Sequence, residues 1–430
     1  MIELSNRIIF KKAIIAVIGL GYVGLPLISL FNKSGFKTIG IDIDHTKIKK
    51  LQSGKSYIKH IDFNYLKTIQ NKGSIFTSQY SKIKQSDVIV LCLPTPLNKK
   101  NKPDTSFIIN TLKQIKKYLH ENQLISLEST TYPGCTRDLI VNKLKNKFLI
   151  GENFFVTYSP EREDPGNKEY NLDKIPKVLG GYSNKCQEIG MLFYKSFFKK
   201  IVPTKSLETA ELTKLFENTF RSINISLVNE LKIFTDKISV DINEVINAAS
   251  TKPFGFLPFY PGPGIGGHCI PIDPSYLSWI ASKNQIELKF IRTSLEVNRN
   301  TTKNIFIKID KYFRKNFFLK KNILIIGVAY KKNIDDIRES PALKLFELFF
   351  KKNYLVDYYD PYIKKIPFNR NFNLNKKSIT LNKINISKFS VVVICTDHDV
   401  INYKLLYKNS NVIFDARNRY PYLDKKIIQI

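Results

Sequence analysis

Residues 19–24 of this 430-residue chain read Gly-Leu-Gly-Tyr-Val-Gly and follow directly on an apolar, β-branched run, residues 13–18. A run of that length suits a buried parallel strand. The glycine spacing restricts the fold more than any other feature of the chain. The first glycine permits a tight turn, the second lets the backbone approach a pyrophosphate, and the third allows a helix to pack close on the strand. A helix opening there offers unpaired N–H groups to phosphates. Asp42 lies eighteen residues after Gly24, at the end of a second apolar run, Thr38 to Ile43. There its carboxylate can accept hydrogen bonds from an adenosine ribose, while a 2′-phosphate would meet its negative charge, so the pattern selects NAD over NADP. Gly19, Gly21, Tyr22, Val23, Gly24 and Asp42 are the candidate cofactor contacts, with Lys47 in reach of the same ribose.

Residues 13–31 carry no charge over nineteen positions and follow Lys11-Lys12, which a hydropathy window would read as a membrane span or signal peptide. Gly19, Gly21, Gly24 and Pro26 break the run at its centre, and no membrane association is expected. The net charge of +31, from 68 Lys and Arg against 37 Asp and Glu, raises the question of a nucleic-acid partner. Only 11 of those cations are Arg, the residue suited to bidentate phosphate and base contacts. The Lys pairs are scattered without aromatic interleaving, so no nucleic-acid partner is expected. The five cysteines are odd in number and lack a CxxC pair, and the five His show no ligand spacing. A reducing, cytoplasmic setting and no metal are expected.

Strand–helix alternation continues through Asp87–Leu93, Leu124–Leu127 and Phe154–Tyr158, which describes an open α/β sheet. Helical periodicity then takes over from Leu207 to Ile238 and again from about Leu288 to Phe318. New apolar strands follow at Asn322–Val328, Leu355–Tyr359, Val391–Cys395 and Val412–Phe414, with a helix after Pro341. The predicted fold is α/β: two Rossmann-like parallel-sheet domains joined by a central helical domain. The boundaries drawn are 1–203, 204–305 and 306–430, and the two flanking α/β units hint at duplication.

Residues 261–273, Pro-Gly-Pro-Gly-Ile-Gly-Gly-His-Cys-Ile-Pro-Ile-Asp, hold too many Gly and Pro for regular structure. They would fix Cys269 in a loop with backbone N–H groups exposed. An isolated Cys is usually an inert, buried small hydrophobe, but such a loop suits a covalent site. A thiolate can attack an aldehyde to give a thiohemiacetal, whose oxidation leaves a thioester that water hydrolyses. Asp273, four residues on, is placed to accept or relay a proton. His268 adjoins the cysteine, but neighbouring residues often point apart.

Together with Ser129-Thr130, Ser159-Pro160-Glu161, the segment 210–218 (Ala-Glu-Leu-Thr-Lys-Leu-Phe-Glu-Asn), and 330–333 through 338–341, these motifs stand in a fixed order along the chain. The chain resembles the UDP-glucose/GDP-mannose dehydrogenase family over essentially its whole length. The resemblance implies a four-electron oxidation of a nucleotide sugar at C6, from alcohol to carboxylate, with two NAD⁺ and one water. It implies Cys269 as nucleophile, with Lys214 and Asn218, four apart on one helix face, stabilising oxyanions. Thr130 and Asp273 would order water or a proton relay, and Glu161 would be the acid of thioester hydrolysis and a substrate contact. The UDP-glucose branch carries a second acid four residues later, where this chain has Pro165, so the base is left between Glu161 and a water on Asp273. Thr95 and Thr130 would touch the cofactor. Lys331 and Arg417, with Gly266, Lys214 and Asn218, would bind the UDP-sugar, whereas Arg338 is read as an internal partner of Asp335 or Asp336. Segments 254–264, 128–134 and 273–279 look like the branch that oxidises UDP-N-acetylglucosamine for O-antigen or capsule, with UDP-N-acetylmannosamine or UDP-glucose as alternatives. A homodimer or higher homo-oligomer, built on the central helices, is also implied.

Overall fold

The computed structural model describes residues 2–58, 68, 73–162, 172–267, 270–366, 375–421 and 424–430. They form two compact units, Met1–Glu217 and Asn218–Ile430. The first is built on eight strands: β1 (Ile14–Ile18), β2 (Lys37–Ile41), β3 (Ile75–Thr77), β4 (Val88–Leu91), β5 (Gln123–Leu127), β6 (Phe154–Tyr158), β7 (Lys177–Gly181) and β8 (Ile201–Thr204). Their order is β3-β2-β1-β4-β5-β6-β7-β8. β1 to β6 are parallel, as the buried apolar runs require, but β7 runs antiparallel to β6, pairing Thr157 with Gly181 and Tyr158 with Gly180. β8 follows β7 in parallel. The expected parallel sheet therefore carries a reversed pair at one edge, and that reversal shapes the site.

Side chains alternate across this sheet with the strand period of two. Ile15, Val17, Val88 and Val90 join the core on one face, while Ala16, Ile18, Ile89 and Leu91 join the core on the other. Each such aliphatic side chain taken from water contributes about 1.5–3 kcal/mol. Among the elements that escaped the sequence reading is a short helix, Ile2–Ile9, that buries Leu4 and Ile8. Arg7 anchors it by a fork on Asp87, with Nε donating to Oδ1 at 2.6 Å and Nη2 to Oδ2 at 2.9 Å. The Ile14 N–H, at the start of β1, donates to the same carboxylate at 2.7 Å.

The long helix Leu207–Lys237 ends within a residue of its predicted limit. In the second unit, the side-chain amide of Asn298, on the helix Lys289–Lys315, donates to the Ser222 carbonyl at 3.1 Å. β9 (Asn322–Ile326), β10 (Leu355–Tyr359), β11 (Val391–Ile394), β12 (Ile413–Asp415) and β13 (Ile427–Gln429) form a parallel sheet in the order β10-β9-β11-β12-β13. Ile323 and Ile325 face one core and Leu324 and Ile326 the other.

The two sheets repeat one device. After β1, Gly19 adopts φ +93°, and its N–H donates to the Ile41 carbonyl at 2.8 Å. After β9, Gly327 adopts φ +76°, and its N–H donates to the Tyr359 carbonyl at 2.8 Å. A Cβ at Gly19 would lie 2.2 Å from the Cys92 carbonyl oxygen, and one at Gly327 the same distance from that of Thr396. Only glycine fits such a position.

Candidate functional site

The glycine turn is shaped for a dinucleotide. A Cβ at Gly24 would collide with the Gly19 carbonyl oxygen at 1.9 Å, so this glycine seats the helix Gly24–Lys33 on the turn. A Cβ at Gly21 meets nothing within 4 Å, which leaves the backbone open where a pyrophosphate would lie. That helix begins without a side-chain cap at Val23, so its first N–H groups are free of a capping side chain. Asp42 is buried at the end of β2, and its Oδ2 accepts from the Leu20 N–H at 2.9 Å and from Lys47 Nζ at 3.3 Å. Its Oδ1 accepts from the Asp44 N–H at 2.9 Å. Asp42 thus braces the turn, Lys47 offsets its charge, and an acceptor direction is left for a ribose hydroxyl. Asp44 also caps the helix His45–Gln52 that carries Lys47. Thr95 and Thr130 meet at the carboxyl edge of the sheet, where the Thr95 hydroxyl donates to the Thr130 carbonyl at 2.8 Å.

The same edge holds a cluster absent from the sequence reading. Glu128 follows β5 and Glu161 stands three residues beyond β6. Because β7 runs backwards, its first residue, Lys177, arrives where β5 and β6 end. Lys177 Nζ donates to Glu128 Oε2 at 2.5 Å and to Glu161 Oε2 at 3.1 Å, with only 2% of its side chain exposed. The ammonium lies 5.6 Å from the Tyr194 ring centroid and 5.2 Å from that of Phe198. Tyr194 Oη donates to Glu128 Oε1 at 2.5 Å. Burial pushes the Glu128 carboxyl up to about 7 despite Lys177, and burial together with Glu128 raises the Cys92 thiol well above its usual range. Burial works to lower Lys177, but the two carboxylates win and hold it above the ordinary lysine value. Glu161 Oε1 accepts from the Arg162 N–H at 2.6 Å, and the Arg162 guanidinium is engaged by Glu217 at 2.6 Å. A further buried acid, Glu211, accepts from the Gly134 N–H at 2.6 Å and from the Thr136 N–H and hydroxyl at 2.8 and 2.6 Å. Glu211 clamps the loop after Thr130, and burial lifts its carboxyl to about 7.

Lys214 is buried on the helix Leu207–Lys237 and makes no side-chain hydrogen bond among the described residues. One turn later on that helix, the Asn218 amide donates to Asp273 Oδ2 at 2.5 Å, with both side chains buried. Asp273 opens the helix Asp273–Lys283. Cys269 and His268 lie outside the described residues, as does Pro165, but the loop leading to the cysteine is described and firmly tied. The Gly262 N–H donates to Asn229 Oδ1 at 3.0 Å, Thr302 donates to the Pro263 carbonyl at 2.7 Å, and the Gly267 N–H donates to the Arg338 carbonyl at 2.9 Å. A Cβ at Gly266 would lie 2.6 Å from Tyr330 Cβ and 2.9 Å from Pro341 Cδ, so the loop passes flush against the turn after β9. Arg417 spends Nε on the Cys395 carbonyl at 2.8 Å, and its Nη1 lies 2.8 Å from where a Gly262 Cβ would be. Its terminal nitrogens make no hydrogen bond among the described residues, and burial lowers its pKa, a cost that an anion beside it would relieve. Lys331 is half-buried in the turn after β9. Arg338 is the internal partner expected: it holds Asp336, with Nη2–Oδ2 at 2.6 Å and Nε–Oδ2 at 2.9 Å.

Asp360, one residue after β10, repeats the place of Asp42. Its Oδ2 accepts from the Val328 N–H at 2.7 Å, the Ala329 N–H at 3.0 Å and His398 Nε2 at 3.1 Å. Its Oδ1 accepts from the Tyr362 and Ile363 N–H groups at 2.8 and 3.0 Å. Burial works to raise this carboxyl, but His398 and the backbone donors hold it below the usual range. The Asn333 N–H donates to His398 Nδ1, which assigns the proton to Nε2. No group of three His, Cys, Asp or Glu residues suited to a metal occurs among the described residues, and among them no helix is long and apolar enough to cross a membrane.

Three domains of one family match the chain in sequence: the NAD binding domain of the UDP-glucose/GDP-mannose dehydrogenase family at residues 13–198, its central domain at 208–300, and its UDP binding domain at 324–421. Protein CapL of Staphylococcus aureus is 36% identical over 338 residues, covering 77% of this chain and 78% of that protein. A UDP-N-acetyl-D-mannosamine dehydrogenase of Methanocaldococcus jannaschii is 32% identical, covering 94% and 90%. The UDP-N-acetyl-D-glucosamine 6-dehydrogenase of Salmonella typhi is 31% identical, covering 95% and 96%. Among solved structures, the UDP-D-ManNAc dehydrogenase of Pyrococcus horikoshii superposes with a TM-score of 0.84 at 31% identity, covering 94% of this chain and 95% of that one.

Proposed function

The chain belongs to the UDP-glucose/GDP-mannose dehydrogenase family and is an NAD-dependent UDP-sugar dehydrogenase, and from that premise we propose that it oxidises C6 of a UDP-N-acetylhexosamine by four electrons through a thioester on Cys269. The balance is one primary alcohol, two NAD⁺ and one water giving one carboxylate, two NADH and three protons. NAD⁺, when bound, accepts a hydride from C6 in each oxidation. Gly19, Gly21, Tyr22, Val23 and Gly24 receive its pyrophosphate, Asp42 and Lys47 its ribose, and Thr95 and Thr130 line the approach to the sheet edge. Lys331, Arg417 and Gly266 hold the sugar nucleotide. The Cys269 thiolate adds to the aldehyde carbon, forming a C–S bond. Lys214 and Asn218 donate to the oxygen that carries charge in the alcohol, thiohemiacetal and thioester stages. In hydrolysis, water forms a C–O bond at the thioester carbon, the C–S bond breaks, the thiolate leaves, and Glu161 takes the water proton, with Asp273 orienting Asn218 and the relay.

The observation that carries this reading is the buried Lys214, which makes no side-chain hydrogen bond or ion pair among the described residues, one helical turn from the Asn218–Asp273 pair. A merely structural lysine would sit in water or on a carboxylate. The aromatic, Pro-rich segment 254–264 can accommodate an acetamido group, and the likeness of segments 254–264, 128–134 and 273–279 to the branch that oxidises UDP-N-acetylglucosamine supports that sugar. The relatives named for mannosamine support its C2 epimer as a second reading. Purified protein with NAD⁺ and each UDP-sugar in turn tests both: two NADH per sugar with one epimer assigns the substrate. No NADH with any UDP-sugar, alongside tight, salt-sensitive DNA binding, would instead support a nucleic-acid module. Cys269→Ala should bind the UDP-sugar normally and lose turnover, and steady-state turnover in that variant would remove Cys269 from the mechanism. We place the protein in surface-polysaccharide synthesis in the cytoplasm, acting as a homo-oligomer through its central helices.

A further inference from the structure

Among the described residues, Lys177 is the one buried cation at the carboxyl edge of the first sheet that the proposed chemistry leaves without a task. It is held between two carboxylates of unequal exposure, Glu128 with none of its side chain exposed and Glu161 with 8%. Among the described residues, one cation beside two carboxylates leaves a net negative charge in a largely buried cluster, and such a triad is relieved by a proton on one acid. Glu128 is the acid that takes it. It lies deeper, and burial lifts it to about 7 although Lys177 and the Tyr194 hydroxyl, which donates to its Oε1, both favour the charged form. The other titratable groups facing the cluster do not compete for that proton. The Cys92 thiol and the Tyr194 phenol are both raised well above their ordinary values by burial and then by Glu128. The Arg162 guanidinium is turned to Glu217 and to the Pro176 carbonyl.

We propose that Lys177 is a positioning residue for the hydrolytic half of the reaction: it holds Glu161 as an aimed carboxylate, and Glu128, its second partner, governs how fully the ammonium is given to Glu161. The proposal rests on the thioester reading and adds a residue to it. With Glu128 protonated, Lys177 serves Glu161 alone. With Glu128 ionised, the same ammonium is shared, and Glu161 becomes more basic but less tightly oriented. No new co-reactant is involved, since the proton taken by Glu161 comes from the attacking water.

The test uses the full-length enzyme with NAD⁺ and the UDP-sugar that the substrate panel selects. Lys177→Met should form NADH in a rapid burst at the rate of the unsubstituted enzyme and then slow about 100-fold in the steady state, the scale of a lost general base. Intact-mass measurement should show the sugar acyl group accumulating on Cys269, with KM for NAD⁺ unchanged. Lys177→Arg should recover part of the turnover. Glu128→Gln should remove the inflection near pH 7 from the kcat profile of the unsubstituted enzyme. Full steady-state turnover in Lys177→Met, or loss of the burst together with turnover while NAD⁺ still binds, overturns the proposal. If Lys177→Met does not fold, a pH profile unchanged in Glu128→Gln overturns it equally. An unsubstituted enzyme that oxidises no UDP-sugar removes the underlying reading and this inference with it, whereas an active enzyme with an indifferent Lys177 removes this inference alone.

Discussion

The three glycines of the first turn have different neighbours, so substitutions there should fail in different ways. Alanine at Gly19 or Gly24 drives a Cβ into a backbone carbonyl, and these variants should lose at least about 2 kcal/mol of stability, read as a lowered melting temperature. Alanine at Gly21 meets open space, so Gly21→Ala should melt normally yet bind NAD⁺ poorly in a titration of nucleotide fluorescence. Asp42→Asn removes a charged acceptor, a loss of about 1.5–3 kcal/mol, so KM for NAD⁺ should rise roughly tenfold to a hundredfold with little change for the UDP-sugar. These positions were legible because turn and ribose chemistry demand fixed residue types at fixed spacing. Glu128 and Lys177 were not legible, since forty-nine residues separate them and neither stands in a motif whose spacing announces a pair. That Asp42 also accepts from the Leu20 N–H likewise has no sequence signature.

At the scale of elements, the apolar runs located β1, β2, β4, β5, β6 and β9 to β12 within a residue or two, because a strand buried on both faces has to be continuously apolar, whereas the short β3, β8 and β13 were not picked out. The direction of β7 was not legible. Lys177-Val178-Leu179-Gly180-Gly181 reads the same whichever way it pairs, and only the register with β6 reveals the reversal. The helix Ile2–Ile9 was missed because two buried residues make a weak period. The long central helix exposes Phe220, Leu227, Leu231 and Phe234 from its middle onward. Apolar residues at this spacing suit a partner helix, and the homo-oligomer proposed above would use this face. Leu227→Lys combined with Leu231→Lys should lower the mass measured by sedimentation while leaving the monomer folded by circular dichroism. An unchanged mass would remove the assignment.

Across the whole molecule, stability should depend on pH through the acids that the first unit buries. Glu211 has a folded-state pKa near 7 against an ordinary 4.5, so its protonated form favours the fold. That contribution is complete below pH 4.5 and is lost as the pH rises through 7, on the order of 1–3 kcal/mol. Chemical denaturation at a series of pH values should show the decline, and Glu211→Gln should make it shallower, with Glu128 supplying what remains. The two α/β units whose repetition hinted at duplication share the same turn geometry at Gly19 and Gly327, but the acids beside those turns differ. Asp42 meets three donors, whereas Asp360 meets five, four of them backbone N–H groups and the fifth an imidazole. A carboxylate with every lone pair committed cannot greet a vicinal diol. The second cradle therefore lacks the open acceptor that the first keeps for the ribose in the proposed function, and an adenosine diphosphate flooding the enzyme should crowd out the oxidant while leaving the uridine ligand seated.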